Sequence, residues 1–555
     1  MSLPLLAGLV MAALLVGYRV YGRFIASRYA LDDERATPAT SKADGLDFVP
    51  TKPFYLMGQH FSAIAAAGPI VGPIAACMLW GWVPCVLWIV LGVILIGAVH
   101  DFTALVASVR HGALSIAEIA RENLGRRAWL ALTAFIWLSL VYVIVAFTDV
   151  TAKTFLGASE DLPGGVSFNA GGGVGFAATS YLLLAVVMGL VQRRWRPPTW
   201  LLTAIFVPAT LGCVALGTIP ALSTLLLFDR TTWQVSILAY CVVASMLPVS
   251  WLLQPRGYLG GFVLYIALAV GVVGMFFGGY GGIRQPAFAS PGEGLGTSLF
   301  PFLFVTIACG ACSGFHGLVC GGTTSKQVAK ESHCRSVGYG AMLLEAFVAL
   351  IALATVMILS PAEAKGKAAS VVYGDGLAAF ATTFLGHGAL RVARIFGMMA
   401  FSTFVFDTLD VATRLGRYLL QELFGSTSPL FGLVATLATA GAPLAVLLLG
   451  GGAEVMKYWV LFGSANQLLA GLTLLSCAVW LARSGRRVWY VLLPAIFVMT
   501  ITTWSLTAHA LVGLPALAHG LGADALNGLV ATVLLALAAL FIYESARALR
   551  SGRRA

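Results

Sequence analysis

The chain has 555 residues, of which 59% are hydrophobic and 10% are charged, and its mean hydropathy is +0.90. In a soluble domain roughly a quarter of the residues are charged. This composition therefore excludes an ordinary water-soluble protein and places most of the surface in lipid. The net charge of +11 is also typical of proteins that bind nucleic acid, but the positions of the basic residues favour membrane topology as its cause.

A helix needs about 20 mostly apolar residues to cross a bilayer. About fifteen segments meet this requirement. In chain order they are 1–24, 61–80, 85–108, 128–150, 174–191, 199–222, 233–254, 258–280, 298–321, 337–360, 390–408, 428–450, 456–482, 488–512 and 524–546. The sequence therefore predicts an all-α, polytopic membrane protein with one membrane domain over 1–555. Within it, 1–28 is predicted as a peripheral N-terminal helix and 428–555 as a C-terminal helical region.

The basic residues give these predicted spans an orientation. Short cytoplasmic loops carry an excess of Lys and Arg. With the N-terminus outside and the C-terminus inside, most of the 34 basic residues fall on the inner side. Eight basic residues fall on the outer side, and four of them, Lys365, Lys367, Arg391 and Arg394, cluster around the predicted span 390–408. Topology and anionic lipid account for the charge, so membrane lipid is a predicted partner and nucleic acid is not.

Two predicted spans have an unusual composition. The first contains Gly68-Pro69 and Gly72-Pro73, shortly after His60. Each proline removes a backbone donor and clashes with the preceding turn, so the helix is expected to break. Secondary transporters use broken helices to present backbone dipoles to substrates and ions. A kinked packing helix is the simpler alternative.

The second unusual span is rich in glycine and small polar residues. Its candidate substrate contacts are Gly310, Ser313, Gly314, His316, Thr323 and Thr324. It is the ninth predicted span and the Gly-Pro segment is the second, so an odd number of crossings separates them. They are therefore expected to run in opposite directions, as the paired broken helices of an inverted-repeat transporter do.

Several ionisable residues lie inside predicted spans, where they are costly and therefore functional candidates. His100 and Asp101 are predicted to relay a proton or form a gate, or else to anchor a helix end. Asp407, Asp410 and Arg414 share a helical face. A pair between Asp410 and Arg414 leaves Asp407 free to titrate, whereas the alternative is a helix end held by ion pairs.

Other polar residues have simpler interpretations beside the functional ones. Asn466 is a candidate substrate contact, although buried amides more often join helices. Glu345 and Asp149 also lie in predicted spans and are able to carry a proton. The pair Cys309 and Cys312 has the spacing of redox and zinc sites, but no soluble βα unit accompanies it, so close helix packing is favoured. No cofactor and no metal are predicted.

The motifs together resemble the carbon starvation protein A family of bacterial inner-membrane transporters. The matching stretches occur in the order of the family over 58–421, which is the predicted family-like core. They are Gly58 to Ile64, Gly68 to Pro73, Gly97 to Phe102, Phe300 to Phe304, Cys309 to Ala311, Ser313 to His316, Gly338 to Met342, and Asp410 with Thr413, Arg414, Arg417 and Gln421.

The resemblance implies import of small nutrients, peptides or pyruvate, during carbon starvation. It also implies proton coupling, a multi-pass location in the bacterial inner membrane, and kinship with the amino-acid/polyamine/organocation (APC, LeuT-like) transporters. A mechanism follows as a hypothesis, in which half-helix N-termini at the two breaks bind the substrate carboxylate. His60, His100, His316 or Asp407 then titrates during the cycle.

Two alternative classes of function stay open at this point. A membrane metalloenzyme would use His60, His100, Asp101 and His316 as ligands, although no HExxH-type pair is present. A channel or a nutrient sensor is the other alternative. An enzyme is not the predicted class.

Overall fold

The computed structural model describes residues 1–44, 47–65, 67–157, 159–162, 166–248, 251–280, 282–292, 296–426, 428–452 and 455–551. Helices make up nearly all of the regular structure in these ranges, which confirms the predicted all-α class. The strands in the described ranges, Ser159–Leu162 and Val166–Asn169, form one antiparallel hairpin in which Ser159 pairs with Asn169.

Twelve helices of the described chain are long and apolar enough to cross a membrane, so the protein is a multi-pass membrane protein. In chain order they are Leu3–Ser27, Trp82–Arg110, Arg126–Thr154, Ala170–Trp195, Thr199–Gly217, Leu253–Phe277, Arg335–Met357, His387–Phe424, Pro429–Leu449, Met456–Arg483, Trp489–His519 and Ala523–Arg550.

Shorter helices and turns connect or interrupt these spans. The shorter α-helices are Pro38–Ser41, Pro53–Ile64, Gly68–Trp80, Ile116–Leu124, Pro220–Ser223, Arg230–Met246, Leu299–Thr306, Phe315–Gly322, Pro361–Ala364 and Ala369–Leu385. One-turn π segments at Gly17–Tyr21, Val93–Gly97 and Arg335–Gly340 lie within longer helices, and a 3₁₀ turn at Thr324–Lys326 follows Phe315–Gly322.

The predicted count of about fifteen spans is not confirmed. Segment 61–80 is part of a bent pair, Pro53–Ile64 and Gly68–Trp80, with an angle of 52° between the two helices, and counting this pair gives up to 13 spans in the described chain. Segment 298–321 consists of two eight-residue helices separated by irregular backbone. Segment 233–254 corresponds to Arg230–Met246, which has only 17 residues. Glycine and proline interrupt the first two segments, so neither half is long enough to cross alone.

One helix was missed by the sequence analysis. Ala369–Leu385 has 17 residues, and it falls in what was predicted to be an external loop. Its Asp375 lies 3.0 Å from the Lys367 ammonium and 2.6 Å from Nε of Arg394. The acidic residue therefore balances two of the four basic residues that cluster around the predicted span 390–408.

Local sequence signals set several helix ends. The side chain of Asn169 accepts a hydrogen bond from the Gly172 amide at the start of Ala170–Trp195. Ser360 and Glu363 form a reciprocal capping box. Gly81 has a φ of +84° between Gly68–Trp80 and Trp82–Arg110, a conformation that favours glycine, and so it separates two apolar runs.

The chain forms two compact units. The first unit comprises Met1–Ala7, Leu140–Pro286 and Ile351–Val455. The second unit comprises Gly8–Ser139, Ala287–Leu350 and Met456–Ala555. Both broken segments belong to the second unit, and the helix that carries Asp407, Asp410 and Arg414 belongs to the first.

Candidate functional site

The two broken segments of the second unit touch at their breaks. Gly68 lies against the side chain of Cys309, and Gly72 lies against the backbone carbonyl of Thr306. A Cβ atom at either glycine would overlap these atoms. Glycine at both positions therefore allows the two backbones to approach each other closely.

The contacts also show the relative direction of the two segments. The first half of one segment contacts the second half of the other, because His60 Nδ1 is 2.8 Å from Thr324 Oγ1. Beyond the break the order reverses, since Gly72 meets Thr306. From His60 to Gly72 the residue numbers rise along the first segment, while their contact partners fall from Thr324 to Thr306 along the second. The segments are antiparallel, which agrees with the predicted opposite orientation, while a full inverted repeat stays a prediction.

Asn466 satisfies the backbone at the start of Phe315–Gly322. Its side-chain oxygen accepts a hydrogen bond from the Phe315 amide at 2.9 Å, and its backbone carbonyl accepts one from the Gly314 amide at 3.0 Å. Its side-chain nitrogen donates to Ser313 Oγ at 3.0 Å. The backbone donors at this half-helix N-terminus are thus partly occupied by protein rather than left open for a carboxylate.

The carbonyls at the end of Leu299–Thr306 have side-chain partners as well. Gln467 Nε2 donates to the Phe304 carbonyl at 2.9 Å, and the Trp88 indole donates to the same oxygen at 3.2 Å. The Trp459 indole donates to the Thr306 carbonyl at 3.1 Å. Backbone groups that lose their helical hydrogen bonds inside a membrane protein require such partners. The break is therefore stabilised by specific side chains.

A buried cluster of ionisable side chains lies beside this crossing. His100 Nδ1 is 2.7 Å from one carboxylate oxygen of Asp101, and His316 Nδ1 is 2.9 Å from the other. All three side chains are buried. The predicted pair of His100 and Asp101 is therefore joined by His316 from the second broken segment, although 215 positions separate Asp101 from His316 along the chain.

Glu345 extends the cluster. Its Oε2 lies 3.2 Å from Nε2 of His316, and its side chain is completely buried within Arg335–Met357. This contact is at ion-pair distance but outside hydrogen-bond geometry, and neither Glu345 oxygen has a hydrogen-bond donor among the described residues. Two carboxylates thus flank one imidazole. Nε2 of His100 likewise has no hydrogen-bond partner in the described part of the chain.

His60 is connected to the same cluster through Cys320. The Cys320 sulfur lies 3.9 Å from His60 Nε2 and donates to the backbone carbonyl of Asp101 at 3.5 Å. Among the described residues, no group of three or more His, Cys, Asp and Glu side chains has a geometry suited to a metal ion.

The first unit contains a separate ionic cluster centred on Arg256. Its Nη2 lies 2.6 Å from Asp407 and 3.1 Å from Asp410, and the Tyr240 hydroxyl donates to Asp410 at 2.8 Å. Arg256 and Asp410 are buried, whereas the Asp407 side chain is 29% exposed. One guanidinium therefore serves two carboxylates.

This arrangement corrects the predicted pairing. Asp407 was expected to be free and Asp410 to pair with Arg414, but both aspartates pair with Arg256. Arg414 donates to the carbonyls of Ala244 and Leu247 at 2.8 and 2.7 Å. These carbonyls lie at the C-terminal end of Arg230–Met246, where free carbonyl groups attract a cation.

Comparison with known proteins identifies the family. The family model described as "Carbon starvation protein CstA" matches residues 4–375 and 363–505. The chain belongs to the CstA family.

Three curated relatives represent this family. The pyruvate/proton symporter BtsT of Escherichia coli is 31% identical over 89% of this chain and 79% of its own length. The peptide transporter CstA of Helicobacter pylori (strain 26695) is 35% identical over 88% and 79%. The peptide transporter CstA of Bacillus subtilis is 32% identical over 87% and 86%. All three are named as transporters, consistent with the predicted non-enzymatic class.

A solved manganese transporter of Eremococcus coleocola aligns with 92% of this chain and 99% of its own chain. The sequence identity is 13% and the TM-score 0.44. At this TM-score the alignment does not establish a shared fold.

The CstA-family motifs between Gly58 and Met342 lie in the second unit, whereas the motif with Asp410 and Arg414 lies in the first. His60, His100, Asp101, His316 and Thr324 surround one buried region. The glycines of the two breaks form the crossing, together with Pro69 and Pro73 in the Gly68–Trp80 helix. Ser313, Gly314 and Asn466 form the cap described above. Thr323 does not join the cluster through its hydroxyl, which donates to the Val319 carbonyl of its own helix at 3.1 Å.

Sequence reasoning gave two important members of these clusters too little weight. Arg256 lies between the predicted spans 233–254 and 258–280, so it was grouped with the basic residues of the inner side and not with the ionisable residues of the spans. Glu345 was noted as a possible proton carrier but not placed in the site. Its signal was present, because it is the acidic residue of an otherwise apolar helix, Ala341–Met357.

Proposed function

We propose that this protein is a proton-coupled importer of small carboxylate nutrients, either pyruvate or short peptides, in the inner membrane of a bacterium. The observation that carries the proposal is the buried ionisable cluster at the antiparallel crossing of two broken helices. Family membership supports it, since BtsT is named a pyruvate/proton symporter and the CstA relatives are named peptide transporters.

The substrate is proposed to bind near the crossing. Pyruvate and peptides share a carboxylate, which requires hydrogen-bond donors and positive potential. His60 and Thr324, which lie 2.8 Å apart, carry such groups on one side of the crossing. Ser313 and the Asn466 amide, which bond to each other at 3.0 Å in this structure, carry them at the cap. Gly72 already touches Thr306 at the crossing. The substrate therefore enters the crossing only when the two broken segments separate.

Proton coupling is assigned to the buried carboxylates and imidazoles. His100 and Asp101 carry this role in the second unit, and Asp407 and Asp410 carry it in the first. Arg414 contributes by anchoring the helix that bears both aspartates to the end of Arg230–Met246. A buried cluster of ionisable groups in a membrane protein is most stable when its net charge is small. These clusters therefore gain a proton when a compensating cation moves away.

The N-terminus is proposed to lie outside and the C-terminus inside. Basic residues support this orientation. Arg193, Arg194 and Arg196 lie at the C-terminal end of Ala170–Trp195, and Arg483, Arg486 and Arg487 lie at the C-terminal end of Met456–Arg483, on the same predicted side. Reporter fusions to each terminus, one active only in the periplasm and one fluorescent only in the cytoplasm, test the assignment. Activity of the periplasmic reporter at the C-terminus would contradict it.

Uptake by proteoliposomes tests the function. Labelled pyruvate and a labelled dipeptide are offered with and without an inward proton gradient. A symporter concentrates one of them only with the gradient, whereas a channel equilibrates it in both conditions. The Asp407→Asn variant is expected to lose gradient-driven accumulation while retaining exchange of labelled for unlabelled substrate. Unchanged accumulation in this variant would remove Asp407 from the coupling mechanism.

A further inference from the structure

The contact between His316 and Glu345 joins the second broken segment to a helix outside it. His316 lies in the half-helix Phe315–Gly322, and Glu345 lies in Arg335–Met357. Their closest atoms, Nε2 and Oε2, are 3.2 Å apart, and both side chains are almost fully buried. Water therefore does little to screen the interaction between them.

The other nitrogen of His316 limits the possible protonation states of this contact. Nδ1 lies 2.9 Å from Asp101 Oδ2, so it carries a hydrogen when Asp101 is ionised. Nε2 then either bears a second proton and faces a Glu345 carboxylate, or bears a lone pair and faces a protonated Glu345. In both states one of the two facing atoms, Nε2 or Oε2, carries a proton.

Removal of that proton makes the contact repulsive. The lone pair of Nε2 would face a carboxylate that has no other hydrogen-bond donor in the described part of the chain. A buried carboxylate without donors is costly, and two acceptors repel at this distance. The attraction between His316 and Glu345, which links the half-helix Phe315–Gly322 to Arg335–Met357, therefore exists only while the proton is present.

Among the described residues, the groups around the pair are titratable groups and not permanent cations. The groups near the pair on neighbouring elements are His60, His100, Asp101, Cys309 and Cys312, and Cys320 lies on the same half-helix as His316. In the first unit, by contrast, Arg256 supplies a guanidinium that stays charged throughout the physiological pH range. The charge of the second-unit cluster thus depends on a bound proton.

We propose that the coupling proton is held between His316 and Glu345, and that its release frees the second broken segment to move. This inference rests on the proposed symport and names Glu345 as the carboxyl group that shares the proton. The proton enters from the side of higher proton concentration, resides on either Glu345 Oε2 or His316 Nε2, and leaves as a proton on the other side, so no electrons are transferred.

The test compares Glu345→Gln with wild-type protein in proteoliposomes. Glutamine has the size of the acid and resembles its neutral form, so the substrate-loaded states remain accessible. For one proton per substrate, wild type is expected to accumulate substrate about tenfold per unit of pH gradient. E345Q is expected to lose this accumulation while keeping exchange near the wild-type rate.

Glu544→Gln is the matched control, because Glu544 is also a buried glutamate in a helix of the second unit and lies outside the cluster. It should behave as wild type. Accumulation by E345Q at the wild-type level would overturn the inference. Equal loss of exchange and accumulation in folded E345Q would also overturn it, because Glu345 would then be required for substrate movement itself.

Two further measurements keep the inference testable. If E345Q does not fold, Glu345→Asp replaces it, and this variant is expected to keep pH-driven accumulation with a displaced pH profile. An unchanged pH profile in E345D would contradict the proposal. If wild type itself shows no gradient-driven accumulation of either substrate, the proposed symport fails, and that result is seen before any variant is compared.

Discussion

Removal of Arg256 is expected to destabilise the first unit strongly. The Arg256→Gln variant loses the guanidinium that lies 2.6 Å from Asp407 and 3.1 Å from Asp410. Asp410 is fully buried, so its charge then has no cationic partner at contact distance within the described part of the chain. Breaking a buried ion pair costs about 3–5 kcal/mol. Asp407 is 29% exposed, so water partly compensates for its loss.

A double variant separates the ion pair from other effects of the substitution. In R256Q with D410N both partners of the buried pair become neutral, and such paired replacements are often close to neutral in stability. The double variant is therefore expected to recover most of the loss seen in R256Q. The single variant D410N should be only mildly destabilised, because Asp407 still pairs with Arg256.

Thermal unfolding in detergent measures these differences. The chain has nine cysteines, nearly all buried, so a thiol-reactive fluorescent dye reports their exposure on unfolding. Arg284→Gln is the matched control, because Arg284 forms an ion pair with Glu363 in the same unit and both side chains are about half exposed. Exposed pairs contribute about 0–1 kcal/mol. Equal melting temperatures of R256Q and R284Q would contradict this prediction. A double variant that is no more stable than R256Q would contradict it as well.

Three further predictions concern the second unit. Gly72→Ala places a Cβ against the Thr306 carbonyl, so overpacking of about 1–3 kcal/mol is expected, measured as a lower melting temperature and slower exchange of substrate. Asn466→Ala leaves the Phe315 amide and Ser313 hydroxyl without their partner, which should cost about 1–3 kcal/mol in the same melting assay. Burial alone raises the pKa of Glu331. Hydrogen bonds from Arg110 and the Asp32 amide, together with the charges of Arg110 and Arg35, outweigh this effect and lower the pKa below its ordinary value of 4.5. Its ionised form therefore stabilises the fold above that pH, and melting curves of wild type and Glu331→Gln should converge as the pH falls below 4.5.

Each of these predictions has an internal comparison. Gly8→Ala is the control for Gly72, because a Cβ at Gly8 meets no atom within 4 Å. Asn466→Asp keeps the oxygen that accepts the Phe315 amide, so it should retain more stability than the alanine variant. A constant difference between wild type and E331Q across the acidic range would show that the Glu331 charge does not contribute as described.

Much of the fold follows from local sequence. Apolar runs of sufficient length predict spanning helices, because an isolated polypeptide in lipid must satisfy its backbone internally. The Gly68-Pro69 pair predicts the bend between Pro53–Ile64 and Gly68–Trp80, since proline lacks a backbone donor, whereas Pro73 of the second pair lies inside the helix without breaking it. The span count was less predictable, because Ala369–Leu385 and Arg230–Met246 are helices whose length does not reveal how they lie relative to the membrane.

The sequence by itself determined which residues are unusual for a membrane protein. His60, His100, Asp101, His316 and Asp407 were all singled out because ionisable groups are costly in lipid. It did not determine their partners. Arg256 meets Asp407 and Asp410 across about 150 positions, and Glu345 meets His316 through a helix that follows the second break.

Only the tertiary structure decided these pairings, for a physical reason. A charge is stabilised by whatever group lies within a few ångströms of it, and helix packing rather than sequence distance sets that neighbourhood. The spacing of Asp410 and Arg414 suggested an ion pair along one helix face. Instead, Asp410 pairs with the buried guanidinium of Arg256, and Arg414 donates to the carbonyls at a helix end.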